Sequence, residues 1–441
     1  MVYFYRPLKK CLIPELQRII FYGVFIFKFK LMNKKIAFYA IFQSLALYCS
    51  AQNLPSLLLN RNINSTFSII AYDAGAQEWG IAVATNNIYV GNSTVYVRPG
   101  LAAFSVIAET KPDYAINGFE ELEKGKSIKE AIEYTKDRDE DANFRQVAGI
   151  DSIGNVYAYT GASLKFWKGS ASHLAGKNYV VLGNQLAKDV LSSMATSYEH
   201  SKGTLAERLL KSIRAGQNAG GQITGKQSAA LMVKGLHQEW YNQIDLRIDN
   251  AKQPLSDLQR LLNFHYGRIK LNQAILLLKN GEKKKGLSLL TEAGKLVEGW
   301  NGIYSKLIMG LLLGGNEQAA VKTILKAINE NPEWKENLAC FYFLRNRKEL
   351  RTYYKKRKFG EKEWSQAIQF LIGIDRPGEA LKLSNEVIKK YPRSSYTYYL
   401  RGEARKDTNE TKSAIADYRM AIELDRSNEE AALALRRMEK E

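Results

Sequence analysis

Apolar side chains run almost without interruption through 66–72 and again through 79–86, separated by a short polar stretch from Asp73 to Glu78. Ile, Val and Ala occupy alternate positions on both faces of each run. That is the pattern of a strand covered on both sides, not of one with a wet face. Further runs predict strands at 101–109, 146–151, 155–160, 179–182 and 228–233, with Ser152, Ile153 and Gly154 turning the 146–160 hairpin. Helical periodicity occupies 113–124, 127–137, 186–200 and 204–216, and Ser127 with Glu130 three residues on has the spacing of a capping box. Strands in sets and helices in sets predict a layered α+β domain over 66–264, not a doubly wound sheet.

From residue 265 the period changes. Trp364, Ala380, Val387 and Pro392 recur about 34 residues on as Tyr398, Ala414, Ala421 and Arg426, a tetratricopeptide (TPR) spacing, and Gly402 and Tyr418 fill two more positions. Tyr304, Leu307, Leu311, Ala320, Ile324, Ala327 and Pro332 make an earlier unit, and a degenerate helix pair over 271–298 precedes it, joined to the first domain by Tyr266 to Lys270. Small Ala positions let paired helices approach, and stacked pairs bury a shared core. Arg401, Arg405 and Arg426 depart from the pattern, so the last unit reads partly as a cap. An all-α repeat domain over 265–441 follows, of a kind that holds a protein or peptide partner.

Charge sharpens this division. The 441 residues carry a formal charge of +19, and the excess lies in the first 51 residues (eight Lys/Arg, one Glu) and in the C-terminal half. The N-terminal stretch reads as a leader: a start at Met32, a basic Asn33-Lys34-Lys35, an apolar 36–48, and Cys49-Ser50-Ala51 as a cleavage site, followed by a tether over 52–65. Export to the periplasm or outside the cell is the expectation, with no membrane span left after leader removal. Of three cysteines only Cys340 lies beyond the leader, which leaves no disulfide and no zinc cluster; no cofactor or metal is expected. A basic run from Arg345 to Lys358, interleaved with Tyr353 and Tyr354 and followed by Phe359, reads as a solvated helical face or linker, and next as a contact for an acidic partner or lipid head groups. A nucleic-acid partner is not expected.

Several short motifs recur in order: Thr66-Phe67-Ser68-Ile69-Ile70-Ala71, Arg145-Gln146-Val147, Thr160-Gly161, Leu182-Gly183-Asn184, the stretch from Gly225 through Gln227 and Ser228 to Leu231, and Leu246 to Asn250. Together they resemble the uncharacterised DUF1028 family over about 66–262. The resemblance implies an N-terminal-nucleophile (Ntn) hydrolase-like fold, a four-layer α-β-β-α sandwich, and associations into homo-oligomers are common to such sandwiches. It also implies a chemistry. A threonine at a free N-terminus carries hydroxyl nucleophile and amine base in one residue, so Thr66 is the candidate nucleophile on a small amide substrate, provided the chain is cut before it. Asn184 and Gln227 are candidates for holding the oxyanion, and Arg145, Ser228 and Asn87 for binding substrate. Glu109 and His173 are weaker candidates. The competing reading is a non-catalytic binding or scaffold protein, with Thr66 an ordinary strand residue whose nitrogen is an amide.

Overall fold

The computed structural model describes residues 65–355 and 357–439. The leader, its start at Met32, its cleavage site and the tether up to residue 64 lie outside the described residues. Ten strands and fourteen α-helices follow among those described.

Two antiparallel sheets face each other. The larger contains β1 (Thr66–Asp73), β2 (Glu78–Thr85), β7 (Ser170–Gly176), β8 (Tyr179–Leu186), β9 (Ser228–Gly235) and β10 (Ile244–Ile248), in the order β10-β9-β2-β1-β8-β7. The smaller has the order β3-β4-β5-β6, with β3 at Val95–Arg98, β4 at Ala102–Ala108, β5 at Arg145–Asp151 and β6 at Val156–Thr160. Strand parity assigns each side chain a layer. Even-numbered Ile70 and Tyr72 enter the inter-sheet core with Ile81, Val83, Ile107, Ile150 and Leu182. Odd-numbered Phe67, Ile69 and Ala71 point the other way, against the helices α3 (Val190–His200) and α4 (Leu205–Asn218). On the far side α1 (Asp113–Glu123) and α2 (Ile128–Lys136) cover Phe104 and Val147 of the small sheet. The result is the expected four-layer α-β-β-α sandwich.

Ser127 and Glu130 form the predicted capping box, each side chain satisfying the other residue's backbone N–H. Strands β3, β7 and β10 are additions to the sequence reading, and β8 runs on to Leu186 where a helix start was expected. The expected joint at Tyr266 to Lys270 is helical. A single helix, α5 (Pro254–Lys279), passes through it unbroken. Leu255, Leu258 and Leu262 near its start belong to the sandwich core, whereas Leu271 and Ala274 near its end belong to the core of the repeats.

The repeats then stack as helix pairs: α5 with α6 (Lys283–Leu296), α7 (Tyr304–Leu313) with α8 (Glu317–Glu330), α10 (Glu361–Gly373) with α11 (Pro377–Lys390), and α12 (Ser395–Asp407) with α13 (Thr411–Leu424), closed by α14 (Glu429–Met438). Ala320, Ala327, Ala380, Ala414 and Ala421 are all buried at the close approaches that the repeat pattern predicts. The unpatterned Arg401 and Arg405 both pair with buried Asp417, at 2.7 and 2.8 Å, which accounts for cations inside the last full repeat. Between the second and third pairs the chain departs from the repeat, through a 3-10 segment, Pro332–Leu344, and the short helix α9 (Arg351–Tyr354). Among the described residues no helix is long and apolar enough to cross a membrane.

Candidate functional site

At one end of the inter-sheet layer the apolar core gives way to polar side chains. Thr66, Ser68, Thr85, Asn184 and Ser228 of the large sheet share the inward parity, and Ser105, Gln146 and Thr160 meet them from the small one. Ser68 and Ser105 hydrogen-bond directly across the layer at 2.7 Å, fully buried. Buried polar groups need partners, and here they find one another.

The Ser65–Thr66 peptide bond is held on both sides. Its carbonyl oxygen accepts from the Thr85 hydroxyl at 2.6 Å and from the Asn86 N–H at 3.4 Å. Its N–H donates to Asn184 Oδ1 at 3.2 Å. The Thr66 hydroxyl donates to Thr85 Oγ1 at 3.1 Å, and the backbone N–H of Asn87 reaches the same oxygen at 3.3 Å. Ser65 itself is pinned: Asn86 Oδ1 accepts its N–H at 2.9 Å, and its hydroxyl lies 2.6 Å from that of Thr224.

Backbone geometry sets the amide orientations. Gln146 Nε2 lies 2.9 Å from the Ser172 carbonyl and 3.0 Å from the Gly183 carbonyl, two groups that can only accept. Its NH2 must therefore face them, which turns Oε1 toward Asn184 Nδ2 at 3.3 Å. Asn184 then has only its oxygen left for Thr66. The network continues through Thr160 Oγ1, 3.1 Å from Gln146 Nε2, to His173 Nδ1 at 2.8 Å. Burial holds the His173 imidazole below its ordinary range, so it stays neutral near pH 7.

Of the residues singled out from sequence, Thr66, Asn184 and Ser228 come together. Ser228 pairs with Thr85 in the ladder and is fully buried, and its hydroxyl has no hydrogen-bond partner among the described residues. Asn87 contributes through its backbone; its side chain is exposed. Gln227 is not brought in by its side chain, which bonds Asn250 Oδ1 at 2.7 Å, although its backbone N–H caps the Thr85 carbonyl. Arg145 is not brought in either. Odd parity on β5 turns it to the helix side, where it binds Asp139 at 2.9 Å and Glu109 at 3.5 Å. Burial alone would raise the Asp139 carboxyl, but hydrogen bonds and charge from Arg145 and Lys111 outweigh it and hold it down at about 2. Thr85, Gln146 and Thr160 are the residues that sequence reading missed. Thr160 and Gln146 stand inside quoted motifs, and the inward parity of their strands was the available signal. Among the described residues no three His, Cys, Asp or Glu side chains gather as metal ligands would.

Fold and site together define a four-layer sandwich with a threonine opening a central strand, fused to a stack of TPR-type helix pairs. Residues 66–258 match the model of a family of unknown function, DUF1028. Among solved structures, protein SPO2555 from Silicibacter pomeroyi, assigned to DUF1028, is 26% identical over 45% of this chain and 84% of its own, with a TM-score of 0.41. MamA (41-end) from Desulfovibrio magneticus RS-1 is 18% identical over 39% of this chain and 82% of its own, with a TM-score of 0.19. YrrB, described as a TPR protein with an unusual peptide-binding site, is 16% identical over 37% and 89%, with a TM-score of 0.21. No curated protein matches the chain.

Proposed function

We propose that this is an exported, self-processing Ntn-type amide hydrolase whose helical domain holds a protein or peptide partner. The observation that carries the reading is the two-donor grip on the Ser65 carbonyl, with the Thr66 hydroxyl in the same network. Thr66 Oγ1 attacks the Ser65 carbonyl carbon. Its proton passes to Thr85 Oγ1 as the Thr85 proton passes to the Ser65 oxygen, so the tetrahedral intermediate forms without net charge. Collapse breaks the C–N bond, passes the proton on the Ser65 oxygen to the departing Thr66 nitrogen, and leaves an ester on Thr66 Oγ1, which water hydrolyses. The freed α-amine, with an ordinary pKa of about 7.7–8.0, stays beside Asn184 Oδ1 as the base for later turnovers. Thr85 and the Asn86 N–H then form the oxyanion position for an amide substrate. Ser228 offers a further hydroxyl.

A second reading has its own support. In the uncut chain Thr66 is buried and its nitrogen is an amide committed to Asn184, as suits a non-catalytic binding module. Intact mass and N-terminal sequencing of the purified chain separate the two. The proposal expects a product beginning at Thr66, absent in Thr66→Ala and slowed about a hundredfold in Thr85→Val, the scale of one lost proton-transfer group. A chain that keeps Ser65 joined to Thr66 through prolonged incubation selects the binding module. Fractionation of the native cells, with the envelope and medium assayed for the chain, tests export.

A further inference from the structure

The irregular segment between the second and third helix pairs bears the basic run, and its surface is hollow. A cavity of about 640 Å³ opens there, walled by Arg345, Arg351, Lys355, Lys358 and Lys390, with no acidic side chain in its lining. Arg357, on the same wall, is already tied to Glu336. The other five make no ion pair among the described residues. The floor is an aromatic cluster in which Tyr342 meets Tyr354, Phe359 and Trp364 edge to face, at centroid distances of 6.1, 5.8 and 4.7 Å. A smaller cavity of about 200 Å³ shares Tyr342 and Arg345 with the first and continues over Phe343, Ala367, Leu371 and Leu383; Glu379, Lys382 and Glu386 also line it, so this part takes a side chain and not a carboxylate.

We propose that this groove binds an extended acidic peptide, its carboxylates on the five cations that have no carboxylate partner among the described residues and one large apolar side chain in the adjoining smaller cavity. Two of the five have other contacts: Arg345 already lies over Tyr342, and Arg351 donates to the Asn346 carbonyl. Uncompensated like charges in a concave wall focus a positive potential, and carboxylates meet Lys and Arg through charge-assisted hydrogen bonds. The aromatic rings turn edges and faces upon one another, which leaves them a packed floor and not a set of platforms for bases. A bilayer surface is flat and cannot follow the cavity. The inference rests on the reading that the helical domain holds a peptide, and adds which face does so and what chemistry it selects.

The test is fluorescence anisotropy of the full chain with a short labelled peptide alternating Glu and Leu. Saturable binding is expected, weakening as salt rises and lost when Gln replaces every Glu. The combined variant Arg351→Glu, Lys355→Glu, Lys358→Glu should bind at least about tenfold more weakly, since each reversed charge repels the ligand. All three side chains are exposed, and an unchanged circular dichroism melt verifies folding; Lys355→Gln with Lys358→Gln is the milder substitute. Equal affinity in the charge-reversed protein overturns the groove while leaving a peptide site elsewhere on the repeats. Equal binding of the Gln peptide, or tighter binding of phosphatidylserine vesicles or poly(U), overturns the acidic-peptide assignment. Failure of both peptides to bind overturns the groove as a site for acidic peptides and leaves the repeats to a partner of other chemistry.

Discussion

Arg145 and Gln146 are neighbours in one strand and serve unrelated ends. Gln146 crosses the inter-sheet layer and orients Asn184; Arg145 turns outward and pairs with Asp139, Glu109 and, at 3.7 Å, Asp141. The Asp139 pair gives a pH prediction whose sign follows from linkage. The folded carboxyl titrates at about 2, below an unfolded value of about 3.9. Its contribution is therefore complete above about pH 4 and is lost as pH falls toward 2, an effect of about 2–3 kcal/mol. Urea melts across that window should show a slope that Asp139→Asn flattens, with the variant less stable at neutral pH by about 3 kcal/mol because Arg145 is left buried beside fewer partners. The sequence pointed to Arg145 as the site residue and passed over Gln146. Their alternation was legible, but which parity faces which layer depends on what covers each sheet, and a single strand does not carry that.

At the scale of elements, legibility followed apolar content. β1, β2, β4, β8 and β9 are buried on both faces and announced themselves. The strands left out, β3, β7 and β10, each lie at a sheet edge, and β7 (SASHLAG) is mostly exposed with no period to read. Two motif glycines acquire reasons only from packing. A Cβ on Gly183 would sit 2.8 Å from Phe67 Cβ, and one on Gly161 would sit 2.2 Å from the Asn143 carbonyl oxygen. The second neighbour is backbone and cannot swing aside. Gly161→Ala should cost about 3 kcal/mol in a denaturant melt, the upper range for overpacking. Because Thr160 is adjacent, the same variant should also displace the hydroxyl that joins Gln146 to His173. The repeat domain was the more legible half, since a fixed spacing of small residues survives even where Arg401 and Arg405 interrupt it.

Across the whole molecule, the sandwich and the repeats share α5 as their common element. Leu258 and Leu262 anchor it to one core and Leu271 and Ala274 to the other. A truncation at 264–265 would divide this helix, and the isolated halves should each expose an apolar stripe; thermal melts of the separate pieces should fall well below that of the parent. The helix also acts as a phase-setting shaft. Each residue advances an α-helix by about 100° and 1.5 Å, so inserting one alanine near Gly267 would rotate every later repeat by that angle about α5. Inserting a full turn of residues would nearly restore the heading while moving the stack outward. Length variation at this junction is thus quantised, tolerated in whole turns and punished between them, and a graded insertion series scored by thermal stability would trace that period directly.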